Sequence, residues 1–123
     1  MKNDFRVNVA VFFLPDESNP AKKRYVFAYK ITITNHSKMA ARLLTRHWII
    51  QDETGHIEEV IGDGVVGQQP RLAPSEGFEY TSGSVIKTST GTMKGSYGMI
   101  SDSGEKFELK IPEFVLSKPY TLQ

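Results

Sequence analysis

Gly62-Asp63-Gly64-Val65-Val66-Gly67 spells G-x-G-x-x-G, the spacing at which glycines let a dinucleotide pyrophosphate approach a helix N-terminus. The context withholds the helix. Gln68-Gln69-Pro70 follows, with Pro74 beyond, so no helix dipole can face a phosphate there. Gly62 and Gly67 also have the outer spacing of a Walker loop, but Gln68-Gln69 stands where Lys-Ser or Lys-Thr must hold phosphate and magnesium. What remains is a set of glycine turns whose backbone N–H groups can form an anion-binding nest, helped by Arg71. The competing reading is structural, with glycines taking bulges and positive φ in a tight crossover. The candidate ligand loop is therefore Gly62, Asp63, Gly64, Gly67 and Arg71.

Arg46-His47-Trp48 is the second cluster with chemical potential. Neighbouring strand residues point to opposite faces, so Arg46 and Trp48 share one side and His47 takes the other. Trp48 reads as a core anchor. Arg46 either sits at the core margin paired with a carboxylate or lines a shallow pocket, which makes Arg46 and His47 a candidate pocket or interaction surface. His36, His47 and His56 are too far apart in sequence to chelate as a local pair, and no cysteine assists them. Asp52, Glu53, Glu58 and Glu59 gather about one hairpin and can hold a hard cation loosely. Solvated turn charges explain them more simply, so no metal ligand is assigned.

Two S-x-x-K matches, Ser84 to Lys87 and Ser103 to Lys106, need a helix to bring Ser and Lys to one face. In a strand, positions three apart face opposite ways. No G-x-S-x-G elbow and no recognisable carboxylate pair is present, so the chain is expected not to be an enzyme and to carry no cofactor.

These residues sit in 123 residues that are 39% hydrophobic and 24% charged, an ordinary globular composition for one domain spanning 1–123. The absence of cysteine removes disulfides and thiolate chemistry and suits a reducing compartment. Met1 to Asp4 leads into alternating sequence without the apolar stretch of a signal peptide or membrane span, which predicts a cytoplasmic protein with no membrane role. Asn35-His36-Ser37 fits a glycosylation acceptor but reads only as a polar turn. A net charge of +1, with Lys22-Lys23-Arg24 as the one basic run, disfavours nucleic acid.

Period-2 alternation predicts strands at Phe5 to Phe13 and Arg24 to Asn35, separated by a loop at Pro15 to Pro20. In the second, Tyr25, Phe27, Tyr29, Ile31 and Ile33 line one face. Ser37 to Leu44 has room for one helical turn at most. A third strand, Leu43 to Gln51, places Leu44 and Ile50 on Trp48's side; a turn at Asp52 to Gly55 returns the chain as a fourth, His56 to Ile61. Gly62 to Gly77 holds four glycines and two prolines and reads as the longest loop. Strands at Phe78 to Ile86, Thr92 to Ser101 and Glu105 to Ile111 follow, with Phe114 and Leu116 as an edge segment beyond Pro112. About seven to eight antiparallel strands without intervening helices predict an all-β sandwich of immunoglobulin or fibronectin type III-like form.

Five segments on these strands and loops carry a resemblance: Tyr25-Val26-Phe27-Ala28-Tyr29, Arg46-His47-Trp48, Gly62 to Pro70, Phe78-Glu79-Tyr80-Thr81-Ser82-Gly83 and Gly91-Thr92-Met93-Lys94-Gly95-Ser96-Tyr97. Together they resemble the bacterial ApaG family over nearly the whole chain. The resemblance implies a fibronectin type III-like sandwich with no established enzymatic activity. Related domains fused into an F-box protein and a DNA-polymerase-delta-interacting protein imply a protein-binding module, and a loose association with cobalt and magnesium handling points toward metal homeostasis. The diadenosine tetraphosphate connection in the family name suggests a hydrolase, for which the chain shows neither base nor nucleophile.

If strand order follows the immunoglobulin pattern, the loop at 36–38, the glycine loop and the hairpin at 102–104 gather at one pole. That pole, with Arg71 and Asp63, is the expected contact surface for a protein partner. The alternative is a protein that binds a nucleotide, phosphate or divalent cation at the glycine loop.

Overall fold

Apolar residues recur at every second position over most of the chain, and in the computed structural model, which describes residues 4–118, this alternation becomes two facing sheets. The strands are β1 (Phe5–Phe13), β2 (Tyr25–Asn35), β3 (Ala41–Asp52), β4 (Ile57–Asp63), β5 (Arg71–Leu72), β6 (Gly77–Ile86), β7 (Thr90–Ser101) and β8 (Lys106–Ser117). One sheet runs β1-β2-β6; the other runs β4-β3-β7-β8, with β5 paired to the end of β3. All pairings are antiparallel. This order is that of a fibronectin type III-like sandwich, as the alternation predicts. The one-domain reading of 1–123 rests here on 4–118; Met1–Asn3 and residues 119–123 lie outside the described residues.

Between the sheets, Phe27, Ile31, Ile33, Leu43, Met93, Tyr97, Met99 and Leu116 are fully buried. Trp48 is the hub of an aromatic cluster, with ring centroids 5.4 Å from Tyr29, 5.8 Å from Phe114 and 6.4 Å from Tyr97, all edge-on. Such pairs add about 0.5–1.5 kcal/mol each beyond the area they bury.

Three sequence expectations are corrected. The bound of one helical turn over Ser37 to Leu44 is not reached: residues 36–40 bend and β3 begins at Ala41. The Ser37 hydroxyl lies 2.6 Å from Asn35 Oδ1 and 2.7 Å from the Met39 carbonyl, so it closes a polar turn. Leu44 does not share Trp48's side. Leu43 pairs with Met99 and Thr45 with Gly98, leaving Leu44 as the extra residue of a bulge that inverts the inward parity. Odd residues such as Leu43 point inward before it and even residues such as Trp48 after it.

The fourth strand extends through Asp63, so Gly62 and Asp63 are strand residues, and the expected long loop is interrupted by β5. Finally, the segment beyond Pro112 is part of β8 itself. Met93 pairs with Phe114 and Gly95 with Ile111, so Pro112 and Glu113 together face Lys94. A bulge removes the ladder bond that proline cannot donate. The predicted loop at Pro15 to Pro20 holds two single-turn 3-10 segments, each begun by proline.

Candidate functional site

The glycine segment is an excursion along one edge of β3. β4 pairs with Thr45–Gln51 and β5 with Ala41 and Arg42, so the chain leaves β3 after Asp63, turns, and rejoins the same strand. The turn is a tight two-residue reversal: Val65 N–H donates to the Gln68 carbonyl at 2.8 Å and Gln68 N–H to the Val65 carbonyl at 2.9 Å. Val66 and Gly67 between them have φ of 43° and 78°, the positive pair required by a type I′ reversal. Val65 is buried and pins the turn to the core.

Each glycine of the motif acquires a mechanical reason. At Gly64, φ is +65° and a Cβ would stand 2.3 Å from the Gln68 carbonyl oxygen, so no side chain fits. Gly62 serves a neighbour: a Cβ there would lie 2.9 Å from the Arg46 guanidinium carbon and from both its terminal nitrogens. The guanidinium lies over this bare backbone, and Nη1 donates to the carbonyls of Asp63 and Gly64, 2.9 Å each. Arg46 thus holds the exit of β4 through backbone carbonyls, where the sequence suggested a carboxylate partner or a pocket.

The anion-binding nest has few donors left. Gly64 N–H donates to the Leu44 carbonyl, and those of Val65 and Gln68 close the turn. Arg71, expected to assist, instead pairs through Nε and Nη2 with both carboxylate oxygens of Asp102. That bidentate hydrogen bonding holds the Asp102 carboxyl below its usual range and raises the Arg71 guanidinium further. His47 lies on the outer sheet face as predicted, its Nε2 2.5 Å from Glu59 Oε2. The pair is substantially exposed, so it contributes about 0–1 kcal/mol. The structure therefore brings Arg46 together with Gly62, Asp63 and Gly64, and sends His47 and Arg71 elsewhere.

The acids about the β3–β4 hairpin do not converge. Asp52 accepts from the backbone N–H groups of Thr54 and His56 and from the Thr54 hydroxyl, a cap that keeps its carboxyl below the usual range. Glu53 reaches toward Ser89, and Glu59 is held by His47. Among the described residues no three His, Asp or Glu side chains form a metal-binding group.

Two polar features escaped the sequence reading. Asn35 is completely buried: Nδ2 donates to the carbonyls of Met39 and Leu72, and Oδ1 accepts from the Ser37 N–H and hydroxyl. It thereby ties the 36–40 loop to β5, and a glycan on this amide would break the tie. Its signal was legible, since it is the polar residue that continues the inward alternation of β2. The second feature is the hydroxyl pair of Tyr80 and Tyr97, 2.5 Å apart inside the sandwich. Desolvation by burial pushes both phenols, and Tyr29 nearby, above their ordinary range.

The segments at 36–40, 69–72 and 102–104 meet at one end of the sandwich. Asp102 N–H donates to the Ala40 carbonyl at 2.9 Å, Arg42 Nη1 to the Gln69 carbonyl at 2.7 Å, and Arg71 crosses to Asp102.

Comparison with known proteins places this architecture. The ApaG domain family model matches residues 15–101. The chain belongs to the ApaG family. It is 53% identical over 116 residues to Protein ApaG of Azoarcus sp. strain BH72, covering 94% of this chain and 91% of that protein. Protein ApaG of Nitrosomonas eutropha is 51% identical over 121 residues, 98% of this chain and 95% of the relative. The solved structure of the putative ApaA protein from Bordetella pertussis superposes with a TM-score of 0.93 at 47% identity, each chain covered to 96%. The glycine excursion, Arg46 and the tyrosine pair all lie inside the segment that the ApaG domain model spans. No helix among the described residues is long and apolar enough to cross a membrane.

Proposed function

We propose that this ApaG-family chain is a non-catalytic protein-interaction module of the cytoplasm that meets a protein partner through its cross-tied loop pole. The observation that carries the reading is the set of ties from Asn35, Arg42 and the Arg71–Asp102 pair, which join the 36–40, 69–72 and 102–104 segments. Loops held before binding lose little conformational entropy when a partner arrives, so more of the contact energy becomes affinity. Lys38 and Met39 project from this pole and are exposed, a charge beside an apolar anchor. A nucleotide, phosphate or cation at the glycine loop is the weaker reading, because the Leu44 carbonyl of β3 takes the N–H of Gly64 and the turn's own carbonyls take those of Val65 and Gln68. A net charge of +1 favours a protein partner over nucleic acid.

The test is affinity capture from the native cell with wild type, a Lys38→Glu/Met39→Glu variant at this pole and Lys87→Glu at the other. Loss of a partner only with the first variant supports the reading; loss only with Lys87→Glu overturns the pole assignment. A melting shift with nucleotides, phosphate or divalent cations would favour the small-ligand alternative.

A further inference from the structure

Each sheet of the sandwich ends in strands with one bare side, and two of the four, β1 and β8, are protected. β1 and β8 close against each other, with Phe5 and Phe107 ring centroids 5.6 Å apart. β8 is further blunted by Lys106, Lys110 and the bulge at Pro112. β6 runs unbroken along β2, and its Glu79 is drawn back to Lys30 and Thr32 of β2. β4 has neither a strand closed against it nor the lysines and bulge of β8, although its Glu59 is drawn back to His47 of β3. Among the described residues it pairs only with β3, in unbroken register from Asp63 to Ile57, and it contains no proline and no lysine. An edge of this kind offers a regular row of backbone donors and acceptors to another chain.

The side chains of β4 say what that chain must carry. Ile57 and Ile61 stand on the outer face, 56% and 73% exposed, far more than their size favours in water. Between and beyond them Glu58, Glu59 and Asp63 give the strand three negative charges and no positive one. A second copy of β4 would bring more carboxylates to the seam with nothing to offset them, so self-pairing is disfavoured. On the inward side, at the flank between β4 and β6, Ile50, Val85 and Ile86 form the apolar lining of a cavity of about 80 Å³ whose polar lining is Asp52, His56, Glu58 and Lys87. This is roughly half the volume of the ~150 Å³ site known to hold benzene, and so suits one short aliphatic side chain.

We propose that β4 is a strand-addition site that takes an extended, basic and aliphatic segment of a partner protein as a sixth strand of the larger sheet. Main-chain bonds along β4 supply affinity, as in other strand-addition modes. Lysines or arginines opposite Glu58, Glu59 and Asp63, and aliphatic residues opposite Ile57, Val60 and Ile61, supply selectivity. An aliphatic residue opposite His56 enters the cavity. This rests on the reading of the chain as an interaction module but uses a surface separate from the loop pole.

The probe is the antiparallel complement of residues 63–56, acetyl-Lys-Thr-Val-Val-Lys-Lys-Val-Val-amide, added to the full chain. The expected result is slowed amide exchange confined to 57–63, with affinity reduced about tenfold by Glu58→Lys/Glu59→Lys, since two favourable cross-strand charge pairs become repulsive. The Lys-to-Glu peptide should bind that variant better than it binds wild type. Proline in place of the fourth residue, which removes a main-chain donor, should abolish protection. Protection elsewhere, no protection, or binding indifferent to the charge reversal overturns the proposal. If the peptide fails while Lys38→Glu/Met39→Glu still releases the cellular partner, the edge assignment alone falls; if both fail, the module reading falls with it.

Discussion

Arg46 lies across Gly62, where an added Cβ would stand 2.9 Å from its guanidinium. Two carbonyls, those of Asp63 and Gly64, accept from the same Nη1. A motif that spells phosphate binding is in this chain a seat for a cation of its own fold. Gly62→Ala displaces the guanidinium and loses those bonds, at a cost of about 1–3 kcal/mol for hydrogen bonds from a charged donor. In an Arg46→Ala background the same substitution costs little. Denaturant titration of the four proteins measures the coupling, and additive losses would show that Gly62 serves another purpose.

Tyr80→Phe removes one partner of the buried hydroxyl pair and strands the other. The loss is about 1–3 kcal/mol, and Tyr80→Phe/Tyr97→Phe regains part of it because no hydroxyl is then left unpaired. Equilibrium unfolding by urea distinguishes this from simple packing loss, in which the double variant is always the weaker.

Burial raises the folded pKa of Tyr29, Tyr80 and Tyr97. Their contribution to stability is full below the unfolded value near pH 10 and declines as pH rises above it. Tyrosinate absorbance should therefore show three of the five tyrosines lagging and appearing together with the loss of tertiary structure. A single smooth titration near pH 10 on a folded protein contradicts their burial.

At the acid end the sign reverses. The Thr54 hydroxyl cap on Asp52 and the Arg71 bond on Asp102 depress both carboxyls. The unfolded chain then binds protons first, and stability present above about pH 4 is lost as pH falls through the lower folded values. Asp52→Asn and Asp102→Asn should each flatten the dependence of the urea midpoint on pH between about 2 and 5. An unchanged slope in both variants removes the assignment.

Asn35→Ala takes this amide from the Leu72 carbonyl and the Ser37 N–H, and leaves the Met39 carbonyl and the Ser37 hydroxyl only each other. We expect a cost of about 2–4 kcal/mol and amide exchange that accelerates first at 36–40 and 71–72. Asn35→Asp should be worse than alanine, since a carboxylate aims negative oxygen at two carbonyls.

Period-2 alternation in Phe5–Phe13 and Tyr25–Asn35, and the turn at Asp52 to Gly55, were enough to reach an all-β sandwich, because strand faces and tight reversals depend on neighbours in sequence. The absence of a helix after Gly67 was equally legible, since Gln68-Gln69-Pro70 cannot open one. What the glycines do instead was hidden. Arg46 is sixteen positions from Gly62, and only pairing of β3 with β4 sets one above the other. The bulge at Leu44, which turns Leu43 and Trp48 to the same interior, depends on how β3 meets β7. Arg71 with Asp102, Tyr80 with Tyr97 and the bare edge of β4 likewise arise from strand order, a property of contacts distant along the chain. Local periodicity carries no information about which strand lies beside which, and here that choice decided the contacts of Arg46, Arg71 and the tyrosine pair.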